Sequence, residues 1–159
     1  MKKTLFAALL ALPLIGFVSC SDDKDLPDVD FTVDVENATR VDGSLYVVQG
    51  DTLVVESITV TNREEGKNAI ITQADYYWDG YFMGTSIVPP YGYKIFIGES
   101  TPVGDHQIDI QMPVFAEDKA AATALVSMKV VVVQEDTEIP DGGASTFIVT
   151  PRTSASAPK

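Results

Sequence analysis

Apolar residues in this chain recur at every second position, not every third or fourth. Phe31, Val33 and Val35 alternate with Thr32, Asp34 and Glu36. Ile108, Ile110 and Met112 alternate with Gln107, Asp109 and Gln111, and Val126, Met128, Val130 and Val132 repeat the pattern. Successive side chains of a strand point to opposite faces, so this period builds half-buried strands with one face on a core. Leu45 to Val48 adds a short apolar run closed by Gly50-Asp51. From Thr52 to Thr61, Leu53 and Val55 share one phase while Ile58 and Val60 share the other, which requires a bulge near Glu56-Ser57.

A further strand places Ile70, Thr72, Ala74, Tyr76 and Trp78 on one face. Asp79-Gly80 then supplies the two residues that tolerate the positive φ angles of a tight hairpin turn. Such a turn pairs Trp78 with Tyr81, Tyr77 with Phe82, and Tyr76 with Met83. Pro89-Pro90 breaks the chain before Tyr93 to Ile97 resumes it. Ala116 to Ala124 has the composition of a helix, but alternation resumes at Val126, so it reads as a loop entering a strand. About seven strands and no helix imply an all-β fold, an antiparallel immunoglobulin-like β-sandwich over residues 28–134 with Trp78 in its core. The single cysteine forms no intrachain disulfide, so an apolar core alone must hold the sandwich. Residues 135–159 are an acidic, Gly-containing segment with a short strand at 146–150 and a Ser/Ala/Pro-rich tail from Thr153 read as disordered.

The lone cysteine has another use. Lys2 and Lys3, an apolar stretch from Leu5 to Val18 and small Ser19 lead up to Cys20. The stretch is shorter than the roughly 20 residues of a stable membrane span and suits a cleaved export signal. Residues 1–19 therefore read as a bacterial lipoprotein signal peptide, with Cys20 taking the lipid and becoming the mature N-terminus. Residues 20–27 form an acidic tether. The run Cys20-Ser21-Asp22-Asp23-Lys24-Asp25 resembles the start of surface-exposed lipoproteins of Bacteroidetes-type Gram-negative bacteria. That resemblance implies an outer-membrane protein, anchored by lipid and facing outward from the cell.

A second resemblance lies in the sandwich. Pro102-Val103-Gly104-Asp105-His106-Gln107-Ile108-Asp109-Ile110 resembles the late-strand pattern of bacterial immunoglobulin-like and polycystic-kidney-disease-like modules, and Tyr77-Trp78-Asp79-Gly80 resembles their earlier hairpin. It implies a β-sandwich module across residues 28–134.

Charge excludes one class of partner. The chain has 11 basic and 23 acidic residues, a net charge of −12. Loss of residues 1–19 removes Lys2 and Lys3, leaving 9 basic residues and a net charge of −14. Nucleic-acid phosphates repel such a chain, and the lipid on Cys20 is the expected membrane contact.

Catalytic chemistry is hard to assemble. Cys20 is consumed by lipid, and His106, the one histidine, shares the phase of Ile108 and Ile110 as a half-buried strand residue bonded to a nearby backbone group. Gly-x-Ser-x-Gly is missing, Glu64-Glu65 and Glu117-Asp118 fall in solvated loops, and Cys/His zinc sites are excluded by composition. The chain is read as no enzyme, and no cofactor is expected. Calcium is the one metal the composition allows, at Asp28, Asp30 and Asp34 or at Glu135, Asp136, Glu138 and Asp141, although neither group has the spacing of a calcium loop.

The aromatic group around the hairpin is the candidate binding surface. Pairing across Asp79-Gly80 sends Tyr76 and Trp78 to the core and leaves Tyr77, Phe82 and Tyr81 to face outward, where aromatic rings stack on sugars or dock on proteins. The expected function is a non-catalytic surface module that recognises glycan or protein. The alternative is a structural accessory of an outer-membrane or pilus-type assembly, which an unpaired edge strand or a broad apolar patch would favour. The charged loop Arg63–Asn68 is the next surface to consider.

Cys20→Ala should abolish incorporation of labelled palmitate and move the protein out of the membrane fraction. Unchanged labelling would remove the anchor.

Overall fold

The structure is a computed structural model describing residues 25–141, 146–149 and 151–155. The signal segment, Cys20 and the tether up to Lys24 lie outside the described residues. The strands, in chain order, are β1 (Val29–Glu36), β2 (Thr39–Val41), β3 (Ser44–Val48), β4 (Thr52–Asn62), β5 (Ala69–Ile71), β6 (Ala74–Trp78), β7 (Tyr81–Ser86), β8 (Tyr93–Phe96), β9 (Gly104–Ala116), β10 (Ala122–Val133), β11 (Thr146–Val149) and β12 (Arg152–Ala155). One 3-10 turn spans Asp136–Glu138. Glu117 to Ala121 is a turn and loop entering β10, as the alternation after it requires.

The strands form an immunoglobulin-like β-sandwich. One sheet runs β11-β1-β4-β8, and the other runs β2-β3-β10-β9-β6-β7, with β12 also on β10 and β5 also on β9. Among the described residues, pairing is antiparallel with one exception: β3 lies parallel to β10. Here the structure departs from an all-antiparallel sandwich. β3 continues through Gln49–Asp51 into β4 of the opposite sheet, so no hairpin dictates its direction beside β10.

Inward residues of both sheets form one core. Phe31, Val33, Leu53 and Val55 from the first sheet join Ile108, Ile110, Met112, Val126 and Val130 from the second, all essentially inaccessible to solvent. The bulge in β4 falls where the phase change requires it. Asp34 pairs with Ser57 and Val35 with Val55, leaving Glu56 as the extra residue.

The run from Ile70 to Trp78 is not one strand. Ile71 is buried and Ile70 is 58% exposed, so the phase reverses before Ala74 and Tyr76. The interruption matches Pro113, which has no N–H to donate to a ladder. Ile71 pairs with Val114 and Asp75 with Gln111, so Pro113 faces the gap between β5 and β6.

Both ends of the domain are more ordered than composition suggests. Pro27, placed in the tether by the sequence, is buried, and the Asp25 carbonyl accepts a hydrogen bond from the Ala120 N–H at 3.2 Å. Thr146–Val149 pairs with β1 in the segment expected as a short strand. Arg152–Ala155, whose last residues belong by composition to a disordered tail, pairs with Ala122–Leu125. The parallel pairing of β3 spans only Lys129–Val133, so the first part of β10 has a free edge, and a backbone ladder needs no apolar side chains to occupy it.

Phe31→Ala should cost about 3–5 kcal/mol in a denaturant titration, whereas Ile70→Ala should stay within about 0.5 kcal/mol. Equal costs would contradict the split between β5 and β6.

Candidate functional site

The Asp79-Gly80 turn has φ values of 48° and 80°, the left-handed pair that a two-residue hairpin demands. Trp78 pairs with Tyr81 and Tyr77 with Phe82, as the turn predicts. The third pair differs. Tyr76 lies opposite Gly84, which leaves Met83 as a bulged residue. Tyr93 from β8 occupies the space beside Gly84. Its hydroxyl donates to the Met83 carbonyl at 2.6 Å, and a Cβ added at Gly84 would stand 2.5 Å from that hydroxyl oxygen. The bulge is thus built around a side chain from the opposite sheet, which no local turn rule reports.

The hairpin aromatic that enters the core is Tyr76, not Trp78. Tyr76 is fully buried and stacks on Tyr93 with centroids 4.7 Å apart. Its hydroxyl donates to the Tyr91 carbonyl at 2.6 Å, and the Tyr91 hydroxyl donates to the Ile71 carbonyl at 2.7 Å. Burial pushes the Tyr76 phenol well above its ordinary pKa, which keeps the proton that makes its hydrogen bond. Trp78 is half-buried at the rim of the core and lies on His106 with centroids 5.0 Å apart. It is the last residue of β6, next to the turn.

The residues expected to face outward separate into two kinds. Tyr77 is half-buried, with Phe82 against it edge-on at 5.5 Å, whereas Tyr81 is 77% exposed and Phe82 59% exposed. Sequence reasoning missed their neighbours. Met83, Ile87, Val88 and Phe96 are also exposed, so large apolar side chains collect on β7, on the loop after it and on β8. These two strands end their respective sheets among the described residues, and the grouping marks one open side of the sandwich. Pro89-Pro90 forms a ridge here between two grooves of about 530 and 570 Å³, one reaching Ile58 and Ile71, the other Val55 and Tyr93. A signal was present in the chain: no residue from Gly80 to Tyr93 carries a charge.

Acidic groups elsewhere have other uses. Arg63 forks onto Asp28 at 3.0 Å and Asp30 at 2.5 Å, and the Asp30 hydrogen bonds raise the guanidinium pKa. Asp34 accepts a hydrogen bond from Ser57 at 2.6 Å. The loop from Arg63 to Asn68 is tied down: Lys67 bridges Glu64 and Asp118 at 3.2 and 3.3 Å, and Lys119 also pairs with Glu64. Hydrogen bonds from Lys119 and Lys67 hold the Glu64 carboxyl below its usual range. Glu138, one of the second calcium candidates, accepts a hydrogen bond from the Gln134 N–H at 3.2 Å. Among the described residues, no three His, Cys, Asp or Glu side chains gather as a metal site. At the bulge, desolvation and a hydrogen bond with Glu36 raise the Glu56 carboxyl, helped by the charges of Glu36 and Asp34.

His106 is engaged at both ring nitrogens, with Nδ1 2.7 Å from an Asp79 carboxylate oxygen and Nε2 2.7 Å from the Pro102 carbonyl. The expected backbone bond is present, with a carboxylate added to it.

No family model matches this chain, and no curated protein does. Among solved structures, it is similar to the fibronectin(III)-like modules of Clostridium thermocellum CbhA, at 25% identity and a TM-score of 0.38. That similarity covers 63% of this chain and 97% of the other. It does not single out the polycystic-kidney-disease type.

Gly84→Ala should force the Tyr93 ring off Met83 and cost about 1–3 kcal/mol in a urea titration. A cost near zero would mean that the ring gives way freely.

Proposed function

We propose that the protein is a non-catalytic, lipid-anchored module of the cell surface that docks a protein partner on the open side formed by β7, the Ile87–Pro90 loop and β8. The observation that carries this reading is the concentration of exposed Tyr81, Phe82, Met83, Ile87 and Val88 on the uncharged run from Gly80 to Tyr93. Edge strands of soluble domains are ordinarily guarded by charges or prolines. β7 has neither, and its bulge is its one guard. An apolar centre with aromatic and methionine side chains is the composition of a protein-binding patch. Among the expected roles, this favours assembly with a protein over capture of a small ligand. The one histidine holds the hairpin turn, which supports a non-catalytic role.

A second reading has its own observation. On the outer face beside Tyr77 and Phe82, Asp109 accepts hydrogen bonds from Gln107 and Ser127, and Asp75 from Gln73 and Thr85. Aromatic rings bordered by carboxylates and amides suit a glycan.

Tyr81→Lys with Val88→Lys, in full-length protein that keeps the wild-type denaturation midpoint, should abolish cross-linking to neighbouring surface proteins on intact cells. Glycan-array binding that is lost in Tyr77→Ala, Phe82→Ala, with cross-linking unchanged by the lysines, would replace the first reading with the second.

A further inference from the structure

The turn that presents Tyr81 and Phe82 is fastened to β9 by Asp79, and one of its bonds is to an imidazole. Asp79 uses both carboxylate oxygens, one facing His106 Nδ1 at 2.7 Å and the other accepting the Gln107 N–H at 2.8 Å. The Asp79 N–H donates to the Gln107 carbonyl at 2.9 Å. On the far side of the ring, Nε2 stands 2.7 Å from the Pro102 carbonyl, in the loop leading into β9. Trp78 covers the ring face at an interplanar angle of 29°, and the side chain of His106 is 8% exposed.

Both oxygens facing the ring are acceptors only. A neutral imidazole has one N–H and can satisfy one of them; an imidazolium has two and satisfies both. We infer that His106 is a protonation-controlled latch, which as imidazolium ties the β6–β7 turn and the Pro102 loop together and as neutral imidazole lets go of Pro102. The bond to the Asp79 carboxylate is charge-assisted and is the one retained. The groups that face the ring come from every element around it. Asp79 comes from the turn, Trp78 from β6 and the Pro102 carbonyl from the loop, while Val130 of β10 lies opposite His106 in register. Asp105 precedes it on β9 and pairs with Lys129 of β10 at 3.1 Å.

Burial of the ring lowers its pKa, but the hydrogen bonds to Asp79 and Pro102, with the charges of Asp79 and Asp105, outweigh this and raise it. A raised folded pKa fixes the sign. The latch is fully closed below the ordinary histidine value of about 6.5 and opens as pH rises through the higher folded value. The turn that carries Tyr81 and Phe82 keeps its Asp79 bonds to His106 and Gln107 in both states, so what the latch releases is the Pro102 loop.

The chain carries its own probe, since its single tryptophan stacks on its single histidine. An imidazolium quenches an indole more strongly than a neutral ring does. Trp78 emission from the full-length protein in detergent micelles should therefore rise between about pH 5.5 and 8.5, as a one-proton transition with its midpoint above about 6.5. His106→Gln should flatten the curve, and Asp79→Asn, which keeps the turn residue type, should move the midpoint down. A transition that persists in His106→Gln, or a wild-type midpoint at or below about 6.5, would overturn the latch. No partner enters this measurement, so the latch can fail while cross-linking at the open side survives, and the reverse holds equally.

Discussion

The pairing of β9 with β10 is the contact on which the rest of the domain depends. It is the longest ladder in the molecule, running from Gly104–Val132 at one end to Val114–Ala122 at the other. Its inward residues, Ile108, Ile110, Met112 and Val114 with Ala124, Val126, Met128, Val130 and Val132, are all buried. Every other strand of that sheet attaches to one of these two or to a strand that does. β3 and β12 share the far edge of β10, and β5 and β6 share the far edge of β9. A domain that cannot form a disulfide within itself needs such a continuous apolar seam, because burial of area is its main stabilising term.

The seam also decides where the open side lies. Pro113 cannot continue a ladder toward β5 and β6, so the chain opposite it breaks and re-enters as β6 with its phase reset. That reset turns Tyr76 into the core and sets the direction in which the hairpin leaves the sheet. Tyr93 then joins the two sheets across the open side, stacked on Tyr76 and bonded to Met83. Tyr76 and Tyr93 thus tie the strand that carries the exposed apolar side chains to the opposite sheet.

Electrostatics sharpens the contrast between this side and the remainder. Elsewhere many acidic residues are drawn into local pairs with Arg63, Lys67, Lys119 and Lys129. Each such surface pair contributes little to stability, but together they hold the loops at the N-terminal end of β1 and between β9 and β10 against each other. The open side has no charge to pair along Gly80–Tyr93. Its character comes from apolar surface left in water, which is why it stands out on a strongly acidic chain.

Much of this was legible in the amino-acid sequence, for a physical reason. The alternation of β1, β9 and β10, the extra residue at Glu56 and the turn at Asp79-Gly80 are local properties, set by side-chain direction and by which residues tolerate positive φ. Outward exposure of Phe82, opposite Tyr77, follows from the turn in the same way, whereas Tyr81 shares the Trp78 face and is exposed at the end of the hairpin. Four features were decided elsewhere. The bulge at Met83 exists because Tyr93, from the other sheet, occupies the space beside Gly84. Trp78 lies at the rim, not in the core, stacked on His106 from the neighbouring strand. The exposure of Val88 and Phe96 depends on which strands end the two sheets, and the parallel placement of β3 beside β10 is likewise a matter of neighbours far apart in sequence. Periodicity states which face of a strand is wet; only the packed sheets state what lies beside that face.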